Sequence, residues 1–393
     1  MSALQVVATD ALCAPGPPTP GWVAIEDGVL VDIGHGLPPG DRGDVVHLGD
    51  AVLAPGFIDL QCNGLDGIDF ATTDDIGFAS AAAALARHGT TAFCATLISA
   101  PLDSYDAPLT RAAATRGARR PGEAELLGIH LEGPFLGDAP GAHDPSLVRA
   151  VDLPWLDGIL DRHPQLVRIV TLAPEADPGQ RAVRLLIDAG VVVALGHSRA
   201  SYADTLSAAD AGASVVTHLF NGMSPLHHRE PGMVGAALDD GRLTPTLIAD
   251  GVHVHPAVLR LILARKTKVA VVSDSVAPTG TAIRRGGAAT LPDGTLAGAT
   301  TLLDRSVATL VAAGVAIERA IEVVTSVPAG LLGLEDRGRL AIGNRADVVA
   351  LDPVSFVPRA VWVGGDPVPG IGGPEHRRPK YRRAAQSRGS AGG

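Results

Sequence analysis

The chain has 393 residues, 46% hydrophobic and 19% charged, which is enough apolar material for a large core in one main and one smaller domain, and excludes a largely disordered protein. A formal net charge of −10 excludes a general attraction to nucleic acid or an anionic membrane surface, so any phosphate must be met by a local cluster of residues. Cys13, Cys62 and Cys94 are widely spaced with no CxxC, which excludes a disulfide framework and a cysteine zinc site; the expected location is a reducing cytoplasm, with no signal peptide and no membrane span.

Residues 1–54 read as short strands and turns (WVAIEDGVLVDIG). From 55 to 337 the pattern changes to short β-branched runs alternating with amphipathic stretches, the mark of βα units and a parallel sheet. The runs are GFIDLQCNG, TTAFCATLIS, ELLGIHLEGP, LVRIVTLAPE, VVVALGHS, SVVTHLFNGM, PTLIADGVH and VAVVSDSVAP. Their expected C-terminal ends are Asn63, Thr96, Glu132, Pro174, His197, His218, Asp250 and Asp274, each about one βα unit from the next. Helices are expected over 75–87, 180–188, 202–211 and 256–266, and Gly89, Gly190 and Gly212 supply the stops of the first three. Eight units predict an α/β fold, a (β/α)8 TIM-like barrel. Residues 338–372 return to short strands (ADVVALD, AVWVGG), expected to pair with 1–54 in a small β-sandwich domain formed by both chain ends. The stretch 373–393 is basic and has no apolar run, so it is expected to be a disordered tail.

A barrel of this kind carries its site at the C-terminal ends of its strands. Glu132, His197, His218 and Asp274 would then converge from four strands on one mouth. Two neutral imidazoles and one carboxylate are an open ligand set for a hydrolytic zinc, leaving a position for water whose pKa the metal lowers towards neutrality. A carboxylate on a fourth strand could shuttle the proton that amide hydrolysis must move.

The segments PGFIDLQCNG, HLEGPF, GAH, GHS, THLFN, REPG, ADGVH and SDSVAPTG, in this order, resemble the N-acetylglucosamine-6-phosphate deacetylases of the amidohydrolase superfamily over about residues 1–372. The resemblance implies hydrolysis of N-acetyl-D-glucosamine 6-phosphate to D-glucosamine 6-phosphate and acetate, in amino-sugar catabolism or recycling. It implies Glu132, His197 and His218 as metal ligands, Asp274 as general base and then acid, and His143 as the residue that polarises the acetyl carbonyl and holds the sugar. For the phosphate it points to Asn221, Gly222, Arg229 and His253, with Arg229 reaching across from the second subunit of a homodimer. Arginine suits that task because its planar fork donates two parallel hydrogen bonds.

Many amidohydrolases carry a His-x-His pair after the first strand and a carboxylated lysine bridging two metals. Here Gln61 and Asn63 stand where the histidines would, and no lysine precedes Lys266. Neutral amides are poor zinc ligands. One divalent ion per subunit is therefore expected, zinc first and Fe2+, Co2+ or Mn2+ as alternatives, with Gln61 and Asn63 near it but not ligating. Gly222, Ser275 and Ala299 replace the commoner Ala, Ala and Ser of the family pattern, leaving the ligands and proton-transfer residue intact. The alternatives are an N-acetylgalactosamine-6-phosphate deacetylase, a cyclic-amide hydrolase of the same superfamily, which normally needs the two-metal set, and a non-catalytic scaffold.

Overall fold

A computed structural model describes residues 4–13, 16–39, 44–277 and 283–371; the expected tail at 373–393 lies outside them. Eight strands form one parallel sheet in chain order: β1 Phe57–Cys62, β2 Thr90–Ile98, β3 Glu125–Glu132, β4 Val167–Leu172, β5 Val192–Leu195, β6 Val215–Val216, β7 Thr244–Ile248 and β8 Ala270–Val272. Past the last strand the sheet closes on itself. Asp274 N donates to Gln61 O at 2.9 Å, and Asn63 N donates to Ser275 O at 2.9 Å. This is the expected barrel.

Alternation along the strands sorts their side chains. Ile58 and Leu60, Ala92 and Cys94, Ile169, Ala194, Val215, Ile248, Ala270 and Val272 fill the interior, while Phe93, Leu97, Val170, Leu172, Val193 and Val271 face the surrounding helices. The helix Ser326–Leu331 adds Ala329 to the interior cluster, with Leu332 just beyond it. Strand β3 breaks the alternation: Leu127 points in, whereas Ile129 and Leu131 point out. A register shift against β2 between Leu126 and Gly128 accounts for this, with Gly128 at φ 150°, where an added Cβ would lie 2.4 Å from Leu166 O. Only glycine fits that bulge. Its consequence is that His130 and Glu132 face the barrel axis.

The helices fall where the pattern put them, at Asp75–Arg87, Arg181–Asp188, Tyr202–Asp210 and Pro256–Arg265. Gly89, Gly190 and Gly212 follow three of them with φ of 82°, 73° and 119°. Strand ends differ from expectation by a residue or two: β2 runs on past Thr96 to Ile98, and β4 to β8 stop two residues short of Pro174, His197, His218, Asp250 and Asp274. Those two residues have already turned into the loops.

Both chain ends build one mixed sheet. Gln5–Leu12 pairs antiparallel with Thr19–Glu26 on one side and parallel with Asp44–His47 and Val52–Pro55 on the other, and Val348–Leu351 joins antiparallel to Val52–Pro55. Val7, Val23, Ile25, Leu53, Val348 and Trp362 share its core. No helix among the described residues is long and apolar enough to cross a membrane.

Candidate active site

The mouth of the barrel holds a cavity of about 420 Å³ lined by Asn63, Glu132, His143, His197, His218 and Asp274, together with Asn221, Gly222 and His253. Glu132 ends β3, and its Oε1 lies 3.2 Å from His197 Nε2 and 2.9 Å from His218 Nε2, with 3.1 Å between the two imidazole nitrogens. Four ligands placed tetrahedrally about 2.0–2.1 Å from a zinc stand about 3.3 Å apart, so these three atoms fit one small ion. Burial opposes ionisation of Glu132, yet the His197 and His218 imidazoles set against it hold its carboxyl well below the usual range. Burial likewise opposes charge on His218, and its bond to Glu132 outweighs it, raising that imidazole. The cluster favours positive charge at the point where the three atoms meet.

A second grouping shares two of these residues: Glu132, His143 and His197 also bring one ligand atom each within 4.8 Å of one another. The Nδ1 partners separate the imidazoles. His197 Nδ1 lies 3.2 Å from the carbonyl oxygen of Ala139, which can only accept, so its Nε2 keeps a lone pair for a cation. His143 Nδ1 instead receives the N–H of Ser99 at 3.4 Å, with the Ser99 hydroxyl at 2.9 Å. Its Nε2 therefore carries the proton, 4.0 Å from Glu132 Oε2. That geometry suits a donor. Burial, followed by the neighbouring His197, pushes His143 down to about 3, so the ring is neutral.

Asp274 faces the cluster from beyond β8. Gln61 Nε2 donates to Glu132 Oε1 at 2.9 Å and to Asp274 Oδ1 at 3.1 Å, and Asn63 Nδ2 donates to Asp274 Oδ1 at 2.9 Å. Gln61 thus ties the two carboxylates together through its N–H groups, and Asn63 adds a second donor to Asp274. Burial, then the charge of Glu132, pushes Asp274 up to about 6, within reach of a proton shuttle near neutrality.

The residues expected at the phosphate divide. Asn221 and Gly222 follow β6, with Asn221 Nδ2 donating to His218 O, and His253 is held by Asp250 Oδ2 at 2.7 Å from its Nδ1. Arg229 is exposed on the loop 225–231, 2.8 Å from His228 Nε2, and does not line the cavity. Sequence reasoning missed Ser99 and Asp250 as partners of pocket histidines, and Thr246, whose Oγ1 accepts from His218 N at 2.7 Å. It also missed a polar layer beneath the ligands, where His130 bridges Thr96 and Thr171, and Thr171 meets Thr217. Side chains at strand ends read as ordinary strand formers, and only their pairing across strands marks them.

Residues 52–368 match the model of the amidohydrolase family. An N-acetylglucosamine-6-phosphate deacetylase of Bos taurus is 39% identical over 346 residues, covering 81% of this chain and 83% of its own. The chain belongs to the N-acetylglucosamine-6-phosphate deacetylases of the amidohydrolase superfamily. Within that family the solved enzyme of Mycobacterium smegmatis, a mutant in complex with N-acetyl-D-glucosamine-6-phosphate, shares the fold with a TM-score of 0.86 and 34% identity, over 93% of this chain and 100% of the other. An N-acetylgalactosamine-6-phosphate deacetylase of Escherichia coli O157:H7 is 37% identical over 88% of this chain and 95% of its own, so overall identity does not separate deacetylases of the two sugars.

Proposed function

We propose that this chain hydrolyses the acetamide of N-acetyl-D-glucosamine 6-phosphate to D-glucosamine 6-phosphate and acetate, as a cytoplasmic enzyme of amino-sugar catabolism or recycling. The observation that carries the reading is Asp274, held by Asn63 and joined through Gln61 to the carboxylate of the Glu132–His197–His218 cluster at the barrel mouth.

Glu132, His197 and His218 would hold one divalent ion, zinc first among the candidates, which when bound acidifies water and polarises a carbonyl. Ionised Asp274 takes a proton from the attacking water as its oxygen bonds to the acetyl carbon. The Nε2–H of His143 donates to the carbonyl oxygen as that atom gains negative charge. Asp274 then returns its proton to the amide nitrogen, the C–N bond breaks, and acetate and the free amine leave. Asn221, Gly222 and His253 lie where the phosphorylated end of the sugar would rest, with Arg229 supplied by the second subunit of a homodimer.

A second reading, the galacto epimer as substrate, is favoured by the similar identity to the Escherichia coli relative. Amine release from both 6-phosphorylated N-acetylhexosamines, with metal content measured in the same preparation, tests the proposal. Turnover of the gluco substrate with one metal per subunit is expected. Faster turnover of the galacto epimer would reverse the sugar assignment, and no turnover of either would sink the reading.

A further inference from the structure

We infer that Ser99 is a positioning residue: its hydroxyl fixes the tautomer of His143 so that Nε2 carries the proton aimed into the cavity. The inference rests on the reading of His143 as donor to the acetyl carbonyl. Ser99 N–H points at His143 Nδ1 from 3.4 Å, and an N–H only donates, so this long contact biases Nδ1 towards accepting without by itself holding it there. The Ser99 hydroxyl, 2.9 Å from the same nitrogen, can rotate and turns its proton the same way. Both side chains are buried, with Ser99 6% and His143 7% exposed, so water does not compete for the interaction.

The fold makes room for this hydroxyl. Gly133 follows Glu132 at φ 82°, and a Cβ there would lie 2.4 Å from Ser99 Oγ, so a larger residue would displace the group that orients His143. His197, 4.4 Å away ring to ring, has the reverse arrangement: its Nδ1 faces the carbonyl of Ala139, and its Nε2 is left as a lone pair. Two adjacent imidazoles thus present opposite polarity to one cavity, and their Nδ1 partners decide which is which. With the hydroxyl removed, Nδ1 keeps only the long 3.4 Å backbone contact, and His143 is free to flip to the Nδ1–H tautomer and offer a lone pair to an oxygen that is becoming negative.

The test reads the tautomer directly and the chemistry separately. In 15N-histidine-labelled, zinc-loaded enzyme, the His143 signals, assigned by their absence in His143→Gln, should show Nε2–H in the wild type and in Ser99→Thr, and shift towards Nδ1–H in Ser99→Ala. Ser99→Ala should lose about tenfold or more in kcat with KM within about twofold, less than the ~100-fold or more of losing an oxyanion donor outright. Ser99→Thr should restore most of kcat. Ser99→Cys, a poor donor of similar size, serves if alanine loosens the strand end. An unchanged tautomer in Ser99→Ala, or a changed tautomer with kcat within about twofold of wild type, overturns the inference. A wild-type enzyme that hydrolyses neither sugar would sink the functional reading while the tautomer comparison still tests this one.

Discussion

His197, His218 and Asp274 stand on backbone that L-residues rarely adopt, with φ of 49°, 29° and 47°. Each lies two residues past the end of its strand, where a left-handed step swings the side chain across the mouth. Such positions cost about 1–3 kcal/mol each and persist when neighbouring bonds over-determine them. Here Asp274 N is fixed to Gln61 O, and His218 N to Thr246 Oγ1. Replacing Asp274 by Asn preserves that geometry and removes the base. The expected result is unchanged metal content with turnover lower by about 10²–10⁴-fold. Near-normal activity would take Asp274 out of proton transfer. Because the base must be ionised and burial pushes Asp274 up to about 6, kcat/KM should fall as pH drops through that region. A bound cation favours the carboxylate, so the limb belongs at about 6 or below, and one above pH 7 would contradict the assignment.

Elements supply the leverage. β7 reaches beneath β6 through Thr246, whose hydroxyl holds the backbone of a predicted ligand without touching any metal. Thr246→Val should leave the protein folded and weaken metal binding by about 10–100-fold in a chelator competition, as partners that orient ligands commonly do. Unaltered affinity would show that His218 is held by packing alone. At the seam between β1 and β8, Asp59 Oδ1 accepts from Gln61 N and Ser273 N, while Oδ2 is buried with no hydrogen-bond partner among the described residues. Burial pushes this carboxyl up to about 7. A raised carboxyl contributes stability fully present below its unfolded value near 4 and lost as pH rises through 7. Asp59→Asn should therefore gain more Tm over the wild type at pH 8 than at pH 5. An equal change at both values would mean that Asp59 is ionised throughout.

At the scale of the whole molecule, exposed Arg229 is the residue that one chain does not explain. Arg229→Ala should raise KM for the phosphorylated sugar with little change in kcat, because it removes binding that ground and transition states share. If the arginine serves the neighbouring site, mixed dimers of Arg229→Ala and Asp274→Asn contain one site with both groups intact. Activity recovered on mixing would place Arg229 in trans, and its absence in demonstrably mixed dimers would place it in cis or outside the site. The barrel itself was legible from the eight apolar runs and their spacing, and the helix at Asp75–Arg87 matched to the residue, because hydrophobic period and glycine stops are local signals. So were the chemical types of the candidate site, since Glu132, His197, His218 and Asp274 each follow or end a run.

Geometry was not legible in the same way. Strict alternation along ELLGIHLE would place Glu132 on the same side as Leu126 and opposite Leu127, facing the helices; the bulge at Gly128 reverses it, and that bulge exists only because β3 pairs with β2 and packs against Leu166. The hydrogen-bond polarity of His143 and His197 depends on Ser99 and Ala139, respectively 44 and 58 residues distant along the chain. The sequence by itself determined the fold class, the family and which side chains could do chemistry, because periodicity and motif are written along the chain. Which atom of each side chain faces the cavity, and in which protonation form, was decided only by tertiary structure, because hydrogen-bond partners meet across strands that the chain separates.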